Sequence, residues 1–160
     1  MQWQSKIIAS LEQARKACQA TYGDIQAFRS QLSIITVHTD DDQKLADILR
    51  QAPQAAELNE DGLVQQISAW NSVIDSLNKM SPSATFKPVH QEAVKKTTGI
   101  KAGWEEVVAA HQAKDKAKYT AAVAALGDSY DELDALTTIG ESSIATLAAD
   151  LQNKYQLTFG

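Results

Sequence analysis

The chain carries three histidines, one cysteine and a scatter of carboxylates. Each grouping can be tested against the spacing that a known chemistry requires. His38 precedes Thr39-Asp40-Asp41-Asp42, a set of oxygen and nitrogen donors that could hold a divalent ion. The glycine and terminal glutamate of a calcium loop are missing, and the aspartates are explained more simply by a helix start: Thr39 or Asp40 as N-cap, with negative charge in the first turn. His90 and His111 are 21 residues apart. That is three heptads on one helix face, roughly 31 Å, so the two cannot share a metal. Glu105 and Glu106 precede His111 by six and five positions. A carboxylate-bridged di-metal bundle needs Glu-x-x-His on two helices and two further inward glutamates, which this chain does not supply. Met1 and Met80 sit at helix ends, which leaves His111 as the one axial haem ligand the seams offer. Cys18 lies in an apolar seam with no neighbour to activate a thiolate and reads as a small hydrophobe. No nucleophile elbow and no phosphate-cradling glycine loop occurs. The sequence therefore calls for no catalytic residue, metal or cofactor.

A ligand pocket is the remaining chemistry. Trp70 and Trp104 occupy apolar seams of what should be adjacent helices, while Thr97, Thr137 and Gly140 are thin or polar seam positions. Bundles place ligands between helices. Trp70, Trp104, Thr97, Thr137 and His111 are thus the candidate ligand-binding residues, although aromatics at such positions more often simply pack. Gly99 and Gly103, four apart, lie on one helix face and imply close approach of a neighbour, or else a gap for a ligand.

The elements that would hold these residues are helices throughout. Ile7, Leu11, Ala14, Cys18, Thr21, Ile25, Phe28, Leu32 and Ile35 recur in steps of four and three, as do Tyr119, Val123, Leu126, Tyr130, Leu133, Thr137, Gly140, Ile144, Leu147 and Leu151. A repeat averaging 3.5 keeps one face of a helix apolar. The first helix is expected over 3–36, with Val37-His38-Thr39-Asp40 closing it. The second carries Leu45, Leu49, Leu63, Ile67, Trp70, Ile74 and Leu77, with a kink or break near Pro53 and a weak point at 59–62. The stretch 81–88, with Pro82 and Pro88, is a connection. A third helix spans about 88–113, with seam Ala93, Thr97, Ile100, Trp104, Val107 and His111. Ala113-Lys114-Asp115 is a turn and cap, and a long last helix continues to about 155.

The expected architecture is all-α: one domain over 1–160, an antiparallel up-down-up-down four-helix bundle with rods of roughly 40–58 Å. Charge agrees with that order. Residues 1–38, 39–86, 87–118 and 119–160 carry net +2, −5, +3 and −5, so neighbours in the bundle have opposite sign. The overall −5 lacks the concentrated basic face that nucleic acid requires. No apolar run is long enough to span a membrane, and Met1 leads straight into an amphipathic pattern rather than a secretory signal.

Pro88-Val89-His90, then Trp104, then Ala110-His111-Gln112-Ala113-Lys114-Asp115-Lys116-Ala117-Lys118-Tyr119-Thr120-Ala121-Ala122 resembles the helix-turn-helix of small bacterial cell-envelope proteins, often lipoproteins with helical-bundle domains. The resemblance covers about the last 75 residues, the lipid-attachment cysteine of that family is missing, and no site residue carries over. It implies a non-enzymatic binding or interaction module, bacterial and extracytoplasmic, with a protein or small molecule as partner. Low cysteine content is equally compatible with the cytosol. The alternative is a small-molecule or haem-sensing domain, similar to the four-helix sensory domains of chemoreceptors. Self-association into a homodimer stays open beside both.

Overall fold

A computed structural model describes residues 2–51, 60–82, 84, 86–133 and 135–155; within its helices the side chains of 31, 32, 34, 36–51, 60, 61 and 137 are outside the description. The described chain is all-helical, with no strand among the described residues. The helices are α1 (Gln2–Gln51), α2 (Glu60–Asn78), α3 (Lys87–Gln112), α4 (Lys116–Leu133) and α5 (Ala135–Tyr155). Helix α3 packs mainly on α2 and α4, and α1 lies against α2, α4 and α5, which is the packing of a helical bundle.

The first departure from expectation is the length of α1. The break expected at 37–40 is absent: the backbone stays helical through Thr39 and Asp40, so neither is an N-cap. The reason is energetic. His, Thr and Asp each cost only tenths of a kcal/mol in a helix interior, and between Gly23 and Pro53 there is no glycine or proline to stop propagation. Pro53 and its expected kink lie outside the described residues. Glu60, Asp61 and Gly62, expected as a weak point, form the first turn of α2. The last helix is described as α4 and α5, with position 134 between them outside the description.

Other boundaries follow the local chemistry. Pro88 stands in the first turn of α3, where its missing N–H costs nothing. The α3–α4 turn is a closed device. The N–H of Lys114 donates to the His111 carbonyl at 3.0 Å and that of Asp115 to the Ala110 carbonyl at 3.1 Å. Lys114 takes the left-handed conformation at φ 54° that this helix ending requires. Asp115 then caps α4, its Oδ1 accepting from the Lys118 N–H at 3.0 Å. At the other end of α3, His90 Nε2–H donates to the Leu77 carbonyl at 2.7 Å, a second bond to a last-turn carbonyl of α2 that also accepts from the Met80 N–H at 3.1 Å.

The main core holds Leu63, Trp70, Val73 and Leu77 of α2; Ala93, Ile100, Trp104 and Val107 of α3; Tyr119, Val123, Leu126, Tyr130 and Leu133 of α4; and Leu136 of α5 and Ile35 of α1. Contacts between α3 and α4 pair rising with falling numbers, as in Lys96 with Glu132, Trp104 with Tyr130 and His111 with Tyr119, so these two run antiparallel. A second, smaller cluster of Phe28, Phe86 and Val89, with Ile25, Ile144 and Leu147 against it, sits where α3 begins.

That second cluster marks where the rods stop matching. Helix α1 has 50 residues and α3 has 26. At 1.5 Å per residue these are about 75 Å and 39 Å, so α1 overruns the expected rod length. Phe28 already faces Phe86 at the start of α3, with ring centroids 5.7 Å apart. The part of α1 before it is accompanied by the second half of α5, Lys154 and Tyr155 lying against Trp3, Ile7 and Leu11. The two segments run antiparallel as a two-helix arm.

The two glycines of α3 behave differently. A Cβ on Gly103 would come within 2.9 Å of Leu126 Cδ1, so the close approach expected there is to α4. Gly99 is exposed and a Cβ there meets nothing within 4 Å. We therefore expect Gly99→Ala to raise stability by about 0.5–1 kcal/mol, the ordinary helix gain. Gly103→Ala should gain less or lose, since Leu126 must turn aside. Urea unfolding of the two variants side by side checks this.

Candidate functional site

The candidate pocket residues fall on three helices, Trp70 on α2, Thr97, Trp104 and His111 on α3 and Thr137 on α5, and those whose side chains are described do not converge. Trp70 and Trp104 are fully buried. Both meet Tyr130: Trp104 Nε1–H donates to the Tyr130 hydroxyl at 2.9 Å, and the Trp70 and Tyr130 rings tilt against each other at 6.2 Å. The indole N–H thus finds the partner that burial demands. Thr97 is fully buried too, and its hydroxyl is turned onto its own helix, donating to Ala93 O at 2.8 Å and to Val94 O at 3.1 Å. It presents no donor to a ligand. Thr97, Trp104 and His111 are seven residues apart in sequence, so each is about 10 Å further along α3 and they cannot converge. His111 is half-buried beside Tyr119, ring centroids 6.2 Å apart. The side chain of Thr137 lies outside the described residues. Gly140, the other thin position, is filled by the Phe28 ring from α1.

Three of the hollows lined by described residues are well formed, and none of these has Trp70, Trp104, Thr97 or His111 in its wall. The first, about 630 Å³ and open to solvent, runs between α3 and α4 over Ala109, Ala110, Ala113, Ala121, Ala122 and Ala125, with Glu106 and Lys118 at its rim. Its floor is methyl groups, with no convergent polar atoms to orient a ligand. The second, of about 10 Å³, is a crevice at Phe28 and Phe86. The third, about 520 Å³, is a groove on the arm lined by Trp3, Ile7, Leu11, Ala14, Lys154, Tyr155 and neighbouring polar residues.

Among the described residues, the pKa of two groups departs clearly from the ordinary value, those of Asp115 and Tyr119. Among the described residues, no three of His, Cys, Asp and Glu stand close enough to hold a metal; the side chains of His38 and Asp40–Asp42 are outside the description. Burial pushes the Tyr119 hydroxyl up from its ordinary value, and the hydroxyl meets no hydrogen-bond partner among the described residues. Asp115 is held below the usual carboxylate range, chiefly by the hydrogen bond from the Lys118 backbone N–H, with the Lys118 ammonium adding to it. A depressed folded value means the cap stabilises fully above the unfolded value of 3.8 and is lost as pH falls through the folded one. Asp115→Asn keeps an acceptor without the titration. Its melting temperature should fall less than that of the native chain between pH 5 and pH 3, as thermal melts at the two pH values would show.

The feature that periodicity did not reveal is the arm. Trp3, Ile7, Ile8, Leu11 and Tyr22 are 72%, 41%, 59%, 63% and 66% exposed. The α1 seam expected to be buried along its whole length is buried at Phe28 and Ile35; on the arm Ala14 is buried and Cys18 half-buried, while Ile7 and Leu11 face water. One α5 segment cannot cover the apolar arc that α1 presents. Among the described residues, no helix is long and apolar enough to cross a membrane. No protein-family model matches the chain, and comparison with curated proteins and with solved structures found no match.

Proposed function

We propose that the chain is a non-enzymatic interaction module in which a closed helical bundle carries a projecting two-helix arm as its binding element. In this reading the rods follow the up-down-up-down order, which the antiparallel packing of α3 on α4, with Lys96 paired to Glu132 at 3.2 Å, favours. The resemblance of the Pro88–Ala122 region to small cell-envelope bundles supports a bacterial, extracytoplasmic setting. One observation carries the proposal. Of the seven large apolar side chains exposed among the described residues, five lie on α1 between Trp3 and Tyr22, whereas the interior at Trp70 and Trp104 is filled. Monomers seldom leave apolar surface so concentrated unless it meets something.

A photo-crosslinking residue placed at Leu11, with one at the exposed Gln91 of α3 as control, tests this in bacterial cells producing the chain. A discrete adduct from position 11 and none from 91 is expected; no adduct from position 11 overturns the reading. The sensor alternative has its own readout. A saturable change in tryptophan emission on titration with haem or a small-molecule panel would favour it over an interaction module.

A further inference from the structure

We propose that the arm's exposed face is built to pair with the arm of a second copy of this chain, antiparallel about a two-fold axis, resting on the reading of the arm as the binding element. On its exposed side α1 carries a stripe at Gln4, Ile8, Leu11, Arg15, Cys18 and Tyr22, again in steps of four and three, which shares Leu11 and Cys18 with the seam toward α5. Ile8, Leu11 and Tyr22 on it are 59%, 63% and 66% exposed. A 3.5-residue repeat turned outward is a surface shaped for another helix, not for a flat or irregular partner. Two arms side by side restore the four helices that the rest of the molecule has and the arm lacks.

Area and charge choose a second copy. The face that carries Gln4, Ile8, Leu11, Arg15 and Tyr22 offers on the order of 500 Å² per chain, hence about 1,000 Å² for a symmetric pair, the least that a specific interface needs. Symmetry then sets direction. In a parallel pair Arg15 would stack on the partner's Arg15, which is repulsive. In an antiparallel pair with the axis between Leu11 and Arg15, Leu11 lies along the stem of the partner's Arg15 and Ile8 meets the partner's Cys18. Glu12 comes beside the partner's Arg15, and the axis makes that ion pair twice. The same patch is self-complementary, as a two-fold interface must be.

The test is the mass of the purified full chain in solution from micromolar to near-millimolar concentration, by light scattering and sedimentation equilibrium. A dimer is expected. Ile8→Glu should weaken it about ten-fold or more, whereas Val64→Glu, on an exposed site of α2, should leave it unchanged. Glu12→Arg and Arg15→Glu should each weaken it, and the double swap should restore it. A monomer at every concentration overturns the inference, as does a dimer indifferent to Ile8→Glu. If position 11 still captures a different chain in cells, only self-pairing has failed and the arm remains a binding element; if it captures nothing, both fail.

Discussion

Replacing Trp104 by alanine should cost about 3–5 kcal/mol, a large part of the 5–15 kcal/mol that holds an ordinary domain folded. Three effects add. The indole is fully buried between α3 and α4, so its removal leaves a cavity that a helical hairpin fastened at its turn cannot collapse. Its N–H satisfies the buried Tyr130 hydroxyl at 2.9 Å, and Tyr130 in turn packs on Trp70. Loss of one side chain therefore loosens a contact on each of three helices. Tyr130→Phe isolates the polar part: it keeps the ring and strands the Trp104 donor, at about 1–3 kcal/mol. Urea unfolding followed by circular dichroism measures both, and Trp70 emission should shift red in Trp104→Ala if water enters. An undiminished midpoint would mean the indole sits in a space that closes without it.

The bundle's interior was legible because burial in a helix writes itself as periodicity. Of the seam Ala93, Thr97, Ile100, Trp104, Val107 and His111, all are buried but the half-buried His111, and Tyr119, Val123, Leu126, Tyr130 and Leu133 are buried too. What the repeat does not encode is how many neighbours cover the stripe. Ile7, Leu11 and Phe28 look equivalent in sequence, yet Phe28 is 5% exposed and Leu11 63%. The difference arises from where the other helices end, which is a property of the whole chain. Boundaries fared by the same logic. Pro88 and Asp115 act through a single backbone N–H, so their effect is local and readable. The His-Thr-Asp run at 38–42 is only mildly unfavourable to helix, and the helix runs through it.

What fills the thin seam positions was hard to read for a related reason. A small or polar residue in a seam reports that something is different there, without saying what fills the difference. Thr97 filled it with its own hydroxyl, bonded back to Ala93. Gly103 filled it with Leu126, and Gly140 with Phe28, a residue 112 positions earlier in the chain. Such long-range complements leave no local trace.

Gly140 is where this has the sharpest consequence. In an isolated helix, Gly→Ala gains about 1 kcal/mol. Here the added methyl would overlap the Phe28 ring, meeting its tip and both of its ε carbons. Phe28 cannot simply tilt away, because it is stacked on Phe86 with Ile25, Ile144 and Leu147 packed around the same cluster. Relief requires either a rotamer that takes the ring out into water or a separation of α1 from α5 at the root of the arm. Overpacking of this kind costs about 1–3 kcal/mol and outweighs the propensity gain, so Gly140→Ala should lower the melting temperature by several degrees. The effect is specific to the pair. In a Phe28→Leu background the same substitution should be neutral or stabilising, and the double-mutant cycle should give a coupling above about 1 kcal/mol. Amide exchange locates the damage: protection should fall in α5 after position 140 and in α1 before position 28, while α3 and α4 keep theirs. A uniform loss across all helices would instead mean that Phe28 anchors the whole bundle rather than the junction from which the arm projects.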